Sequence, residues 1–476
     1  MIYKRITVGL CVLTAAVLVT AVQQRNDEGY DYFSANAQLI SRGQQAFVLC
    51  NGLFTSNRSL EEVYRDELRI RKIPLLYPSN GDVQIDRENK TVAVGKPGND
   101  PLPIMRAAYR EGFGCIVLSP HQTFDDLDDL PRLETPTLAD NLAHISWPDG
   151  DLVPEKPAPK ELDQAKLEET AKWLFEPTDD AWQTMSLMVV YKGDIVYERY
   201  ENGADMYTKT RTWSAAKSIA STLIGTLVDQ GKLKLDEPLP IDWLPGSESD
   251  PRNKITLRNV LNMSSGLETV DNGREYETGS GLAYWAGTSS IDGARSRGLI
   301  HEPGTHWDYE NYDTLLGVLA MKRVLGNEKS YHEYPYNALF SKIGMHNTVP
   351  GVDRFGDFVM SSQVYTTARD LARFGLLYMN DGVWNGEQVI SKEWIEFCRT
   401  PSPSNKGYGG QWWLPNGASG VPDDAMAALG NRGNYLVVIP SREIVIVRRG
   451  LDRSARGDSS PNQWDITRKV LEAFAE

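Results

Sequence analysis

Two strand pairs that lie far apart in the chain limit its fold more than any other feature. Residues 185–191 and 195–200 are rich in β-branched and aromatic side chains, and Lys192-Gly193-Asp194 between them is a short glycine-containing turn. That combination reads as a β-hairpin. A matching pair, 435–439 and 444–448, flanks Pro440-Ser441-Arg442-Glu443 near the other end. The segments between carry apolar residues at helical spacing, such as Ile219, Leu223 and Leu227, then Leu371, Phe374, Leu377 and Tyr378. Helical patterns also precede the first pair, at 162–174, and close the chain, at 462–474. Strands at both ends with helices between predict an α/β (α+β) fold: one antiparallel sheet built from both chain ends, flanked by helices, with a mostly helical subdomain. No repeat of fixed period interrupts this plan.

The N-terminal third reads differently. Lys4 and Arg5 precede an apolar run, 6–22, that ends at Gln23-Gln24-Arg25. This is the layout of a signal peptide over residues 1–25, or of an uncleaved anchor, and it directs the rest of the chain to the periplasm or outside the cell. Cys11 within the run follows Val8-Gly9-Leu10, a poor lipoprotein signal. Residues 26–160 mix short apolar runs with many Pro, Gly and Asp residues, which suggests an irregular extension ending in the Pro-rich linker Pro154-Glu155-Lys156-Pro157-Ala158-Pro159-Lys160. The main domain is then 161–476. Beyond Cys11 only Cys50, Cys115 and Cys398 remain, too few for a disulfide scaffold or a cysteine-rich zinc site. An oxidising compartment permits a Cys50–Cys115 bond, with buried thiols as the alternative.

Charge excludes one class of partner. The formal balance of −14 comes from 64 acidic against 50 basic residues with no basic stripe, so nucleic-acid binding is disfavoured. The run Asp125-Asp126-Leu127-Asp128-Asp129 reads as a solvated loop or helix end rather than a cation site. His301 and His306 flank Pro303-Gly304, which prevents a helical ligand pair, so no metal is expected and no cofactor is called for. A Gly-x-Ser-x-Gly elbow is missing, which removes support for a His-centred triad on an α/β-hydrolase fold. The expected partner is a small-molecule or peptide-like compound.

Ser214-Ala215-Ala216-Lys217 opens the helical run that ends near Gly231. Three residues of separation put both side chains on one helical face, so their heads can meet. A serine hydroxyl needs a neighbouring base, and a lysine that is desolvated can serve. At a helix N-terminus, exposed N–H groups also favour developing negative charge. Ser214 as a plain N-cap is the bland alternative, although a capping box would put Glu or Gln where Lys217 stands. Tyr309-Glu310-Asn311 supplies a second proton carrier and an amide. Two other Tyr-x-Asn copies, at Tyr200 and Tyr378, run into Gly or Asp-Gly and read as a turn and a helix end.

Together with Ser218, Pro303-Gly304-Thr305, Leu316-Gly317, Ile255-Thr256-Leu257, Met263-Ser264-Ser265-Gly266-Leu267 and the run 366–375, these motifs resemble those of the β-lactamase-related serine hydrolases, in the same order. The resemblance runs from about residue 165 to the C-terminus and is nearer the aminohexanoate-oligomer hydrolase and esterase branch than the class C β-lactamases. It implies acylation of Ser214, general-base and general-acid work shared by Lys217 and Tyr309, and Asn311 holding the lysine and the substrate carbonyl. It also implies an oxyanion hole made by the Ser214 N–H and a donor near Asn431. Penicillin-active members carry Lys-Thr-Gly or His-x-Gly on that strand, whereas Gly430-Asn431-Arg432-Gly433-Asn434 looks like the Gly-x-x-Gly-Gln of the aminohexanoate branch. That departure puts β-lactamase activity in doubt, with Arg432 as a substitute charge for binding substrate beside Gly433. Trp412 and Trp413 are expected either to line the cleft, as a similar pair does in relatives, or to pack in the core.

Overall fold

The computed structural model describes residues 32–68, 82–96, 98, 102–133, 142–178, 182–269, 280–453 and 461–475. Residues 1–25, read as signal or anchor, lie outside them.

The N-terminal part corrects the expectation of an irregular extension. Helix α1 (Tyr32–Phe54) packs on a four-stranded antiparallel sheet of β1 (Asp82–Asp86), β2 (Thr91–Gly95), β3 (Met105–Arg110) and β4 (Gly114–Val117), in that spatial order. Cys50 and Cys115 form a disulfide, the pairing the sequence suggested, among buried Leu49, Val63, Val92, Val94 and Ala107. The sequence hid this unit for a physical reason. β2 and β4 are short and buried along their whole length, so neither shows the polar–apolar alternation that marks a half-exposed strand. The unit is fastened to the rest of the protein. A Cβ on Gly43 would lie 1.6 Å from the Trp285 carbonyl oxygen, Phe47 meets the Trp285 ring edge-on at 5.2 Å, and the Tyr336 hydroxyl donates to Gly112 O at 2.6 Å. The acidic run lies in a 3-10 turn, Phe124–Asp129, capped by Thr123.

Beyond the Pro-rich stretch, helix α2 (Gln164–Phe175) starts at Asp163, whose carboxylate accepts from the N–H groups of Ala165 and Lys166. β5 (Thr184–Tyr191) and β6 (Asp194–Tyr200) form the first expected hairpin. β7 (Thr210–Arg211), β8 (Val349–Pro350) and β9 (Val364–Thr366) make a small sheet in the order β7-β9-β8, and β10 (Val383–Trp384) pairs with β11 (Glu387–Gln388). The second expected hairpin is β15 (Asn434–Ile439) with β16 (Ile444–Gly450), preceded by β12 (Tyr408–Gly409), β13 (Trp412–Trp413) and β14 (Met426–Gly430). The main sheet is antiparallel with the order β12-β13-β14-β15-β16-β5-β6. β16 pairs with β5, Ile444 opposite Tyr191 and Arg448 opposite Leu187, so one sheet is indeed built from both ends of the domain.

Alternation across the pleat sends side chains into two cores. Met188, Val190, Leu436, Val438, Val445 and Val447 join the larger core with α3 (Ala216–Asp229), α4 (Asn311–Leu325) and α5 (Ala368–Met379). Leu187, Val189, Val437, Ile439, Ile444 and Ile446 pack on the other face against α2 and the closing helix α6 (Gln463–Leu471). The charged residues of the 366–375 run belong to the framework. Arg373, 1% exposed, donates to Pro148 O and Gly150 O and pairs with Asp151 and Asp370, which ties 148–151 to α5.

Candidate active site

Ser214 stands where β7 runs into α3. Thr212 fixes the approach, its N–H and Oγ1 both donating to Val364 O, at 2.8 and 2.9 Å. Trp213 then adopts φ 52°, a left-handed conformation that costs free energy for a bulky residue and has to be held by its surroundings. Arg211 supplies part of the restraint, its guanidinium 3.9 Å from the Trp213 ring centre and hydrogen-bonded to Ser362 O and Oγ. The 3-10 turn Trp213–Ala215 follows and leads into the helix. Among the described residues, the Ser214 N–H donates no hydrogen bond.

Lys217 lies in the first turn of α3 and is 1% exposed. Its Nζ donates to Ser214 Oγ at 3.2 Å, Asn311 Oδ1 at 2.6 Å and the Ser361 carbonyl at 2.7 Å, and it sits 5.0 Å from the centre of the Tyr309 ring. One buried amino group thus touches the serine, the amide and the phenol ring that the sequence singled out in two separate segments. Glu310 makes this possible on the α4 side. As N-cap it accepts from Asn311 N–H at 2.6 Å and Tyr312 N–H at 3.4 Å, which sets Asn311 as the first helical residue and leaves Tyr309 just outside. Asp313 ties the loop of Met263, Ser264 and Ser265 to the same helix, accepting from Ser265 Oγ at 2.6 Å and Ser265 N–H at 3.3 Å. Burial pushes its carboxyl up to about 7, against the lowering effect of the Ser265 hydroxyl.

The Tyr309 ring belongs to an aromatic cluster with Trp413 (5.4 Å), Tyr408 (6.0 Å) and Trp307 (6.3 Å). The two tryptophans of β13 therefore part company, as successive residues of a strand must. Trp413 reaches the site. Trp412 is fully buried and packs on Phe374 and Tyr378, so it is a core residue rather than a cleft residue.

The segment 431–433 also differs from expectation. It is a 3-10 turn beyond the end of β14. Asn431 Oδ1 accepts from Arg432 N–H, and Asn431 O accepts from Asn434 Nδ2. Arg432 is 3% exposed, and its guanidinium donates to four backbone carbonyls: Asp452 and Leu451 at 2.9 Å, Asp66 at 2.7 Å and Glu67 at 3.2 Å. A charge so committed is framework and is not presented to a substrate. Gly433, at φ 78°, has the Arg448 guanidinium where a Cβ would go. What faces Ser214 is β14 itself. It packs on the Trp213–Ala215 turn, and a Cβ on Gly430 would lie 1.9 Å from Thr212 O. β13 covers β14 only where Trp413 lies opposite Ala427, so Ala428–Gly430 form an open edge there.

Sequence reasoning missed four neighbours. Ser361 acts through its carbonyl, which no side-chain motif reports, and its Oγ bonds the Tyr284 hydroxyl. Trp307 and Tyr408 carried a signal only in hindsight, as aromatics flanking Tyr309 and preceding the tryptophan pair. The other Tyr-x-Asn copies lie elsewhere, Asn202 in a turn at φ 57° and Asn380 as the C-cap of α5. The exposed rings of His301 and His306 stack at 4.1 Å, and among the described residues no group of three or more His, Cys, Asp or Glu side chains is placed to hold a metal ion.

Comparison with known proteins gives one family match, to the beta-lactamase family over residues 171–448. The chain is 24% identical over 288 residues to the 6-aminohexanoate-dimer hydrolase of Paenarthrobacter ureafaciens, an alignment covering 56% of this chain and 72% of that protein. A family VIII carboxylesterase superposes with a TM-score of 0.51 at 16% identity, over 67% of this chain and 98% of the other. A penicillin-binding protein homologue from Caulobacter crescentus gives 0.52 at 14% identity, over 67% and 99%. At such identities the structural matches speak for the fold. The unit of α1 and β1 to β4 lies outside the family match.

Proposed function

The chain belongs to the beta-lactamase family, and from that premise we propose that it is an exported serine hydrolase that cleaves an ester or amide through an acyl-enzyme on Ser214. The observation that carries the reading is the buried Lys217 Nζ, in contact at once with Ser214 Oγ, Asn311 Oδ1 and the Tyr309 ring.

In this reading Ser214 Oγ attacks the substrate carbonyl carbon while its proton passes into the Lys217–Tyr309 pair. The tetrahedral oxyanion forms against the Ser214 N–H and the open edge of β14, donors already in place before charge develops. The pair then returns the proton to the departing alcohol or amine as the ester C–O or amide C–N bond breaks. Water, deprotonated by the same pair, attacks the acyl-enzyme and restores the serine hydroxyl. Asn311 keeps the lysine in register and orients the carbonyl.

Arg432 argues for an ester or linear amide over a β-lactam, because its guanidinium is spent on four carbonyls and offers nothing to a β-lactam carboxylate. Location outside the cytoplasm is supported by the Lys4, Arg5 and 6–22 layout together with the Cys50–Cys115 bond, which an oxidising compartment sustains.

The test is turnover of short-chain nitrophenyl esters, a linear amide and a chromogenic cephalosporin by the wild type and Ser214→Ala. Ester or amide turnover that vanishes in the variant is the expected result. Cephalosporin turnover alone would move the assignment to a β-lactamase or penicillin-binding peptidase, and no turnover at all would leave a silent cell-wall-binding member.

A further inference from the structure

A line of packed rings leads from the disulfide-bonded N-terminal unit to the nucleophile. Phe47, nearly one helical turn before Cys50 on α1, lies edge-on to Trp285 at 5.2 Å and 6.5 Å from the Tyr365 ring. Trp285 is 1% exposed, closes the helix Ser280–Trp285 and has the Arg211 guanidinium 4.7 Å from its ring centre. The same guanidinium lies 3.9 Å from the centre of the Trp213 ring, and Trp213 is the left-handed residue directly before Ser214. Tyr365 stands opposite Arg211 where β7 pairs with β9, so Phe47 touches both supports of Arg211. A second branch reaches the lysine. Arg211 Nε donates to Ser362 O at 3.0 Å and Nη2 to Ser362 Oγ at 2.8 Å, and the carbonyl of the preceding Ser361 accepts from Lys217 Nζ at 2.7 Å. Tyr284, next to Trp285, bonds the Ser361 hydroxyl.

We propose that the N-terminal unit braces the nucleophile, with Arg211 the positioning residue through which Phe47 and Trp285 hold Ser214 and Lys217 at reacting distance. A bulky residue keeps a left-handed backbone only while its surroundings over-determine it. Loosening the stack on Arg211 lets Trp213 relax, which turns the neighbouring Ser214 away from the carbonyl it attacks, and frees the 361–362 segment that holds Lys217. The unit of α1 and β1 to β4 lies outside the family match, yet it acts in turnover without touching substrate. Its effect on rate rests on the hydrolase reading, whereas its effect on the backbone at Trp213 does not.

The test compares the full-length wild type with Phe47→Ala, Arg211→Gln, Arg211→Lys and Val94→Ala. Val94 belongs to the separate core around the Cys50–Cys115 bond, which includes neither Phe47 nor Trp285, so its truncation weakens the unit away from the brace. Rates are taken per site that a fluorophosphonate finally labels, which removes any unfolded fraction. Phe47→Ala and Arg211→Gln should each lower kcat for nitrophenyl butyrate and the rate of Ser214 labelling about tenfold, with KM within about twofold, the pattern of a misplaced reacting group. Arg211→Lys, which keeps a cation on the two rings, should recover part of the loss. Val94→Ala should lower Tm and leave kcat unchanged. If Phe47→Ala does not fold, Phe47→Leu takes its place, with a fall of about threefold expected for the smaller displacement. An unchanged kcat in the Phe47 variant, or an equal fall in Val94→Ala, overturns the proposal. Failure of the hydrolase reading is seen separately, as no turnover and no Ser214 labelling in the wild type. Crystal structures then decide: Trp213 leaving its φ of 52° in the Phe47 variant upholds the brace, and Trp213 unmoved there overturns it.

Discussion

Arg432 is the residue through which the N-terminal unit is bolted to the strand beside Ser214, and replacing it separates two opposing effects. Its backbone is left-handed at φ 61°, which costs a non-glycine residue about 1 kcal/mol. Its guanidinium makes four hydrogen bonds to buried carbonyls of two separate segments, Asp66 with Glu67 and Leu451 with Asp452. Hydrogen bonds to a charged group contribute about 1.5–3 kcal/mol each, and because one group makes all four they do not sum; about 4 kcal/mol is a conservative total. Arg432→Gly relieves the backbone cost and loses the bonds, a net destabilisation of about 3 kcal/mol. With an unfolding entropy near ~2.1 cal/mol/K per residue, that lowers Tm by roughly 3 °C in a chain of this size. Glu443→Gly is the control. It removes another left-handed non-glycine residue, at φ 50°, which closes the turn Pro440–Arg442, and should leave Tm unchanged or slightly raised. Thermal unfolding followed by tryptophan fluorescence reads both. An Arg432→Gly Tm within 1 °C of wild type, or an equal fall in both variants, would refute the assignment of Arg432 as the bolt.

Two further perturbations probe the frame around the site. The Cys50–Cys115 bond closes a loop of 65 residues, for which chain entropy gives a stabilisation of about 4 kcal/mol, so the Cys50→Ala/Cys115→Ala protein should melt about 4 °C lower than the oxidised wild type; equal melting would show that the bond restrains nothing. The Asp313 carboxyl, raised to about 7 in the fold chiefly by burial, with Glu310 raising it further and Ser265 and Arg297 opposing, titrates near 4 when unfolded. The folded state therefore holds its proton more tightly, so this group's contribution is most favourable below about pH 4, is lost as pH rises toward 7 and is flat above. Asp313→Asn should flatten Tm between pH 4.5 and 7, and an unchanged slope would remove Asp313 as its source.

How much of this was legible in the sequence depended on the kind of signal each residue carried. The β5–β6 and β15–β16 hairpins showed because each sets two runs rich in β-branched and aromatic residues on either side of a short turn carrying glycine or proline, even though β5 and β16 are buried along almost their whole length. α3 and α4 showed because Ser214, Lys217 and Asn311 sit at helix starts whose spacing is fixed by the helix itself. The N-terminal unit stayed hidden because its strands are short and β2 and β4 are buried along their whole length. Trp412 and Trp413 were indistinguishable until the pleat assigned them to opposite sides. Arg432 looked like an available cation, since four carbonyl acceptors drawn from residues 66, 67, 451 and 452 leave no mark on local sequence. Ser361 contributes a backbone oxygen, which any residue type would supply.

The central claim is that Ser214 Oγ is the nucleophile activated by Lys217, and covalent labelling by a fluorophosphonate reads it most directly. Intact-mass and peptide analysis should find one phosphonyl group on Ser214 in the wild type, none on Ser214→Ala, and labelling at least ~10²-fold slower in Lys217→Ala, the scale of losing a positioned base. An adduct that persists in Ser214→Ala, or forms as fast without the lysine, would contradict the account.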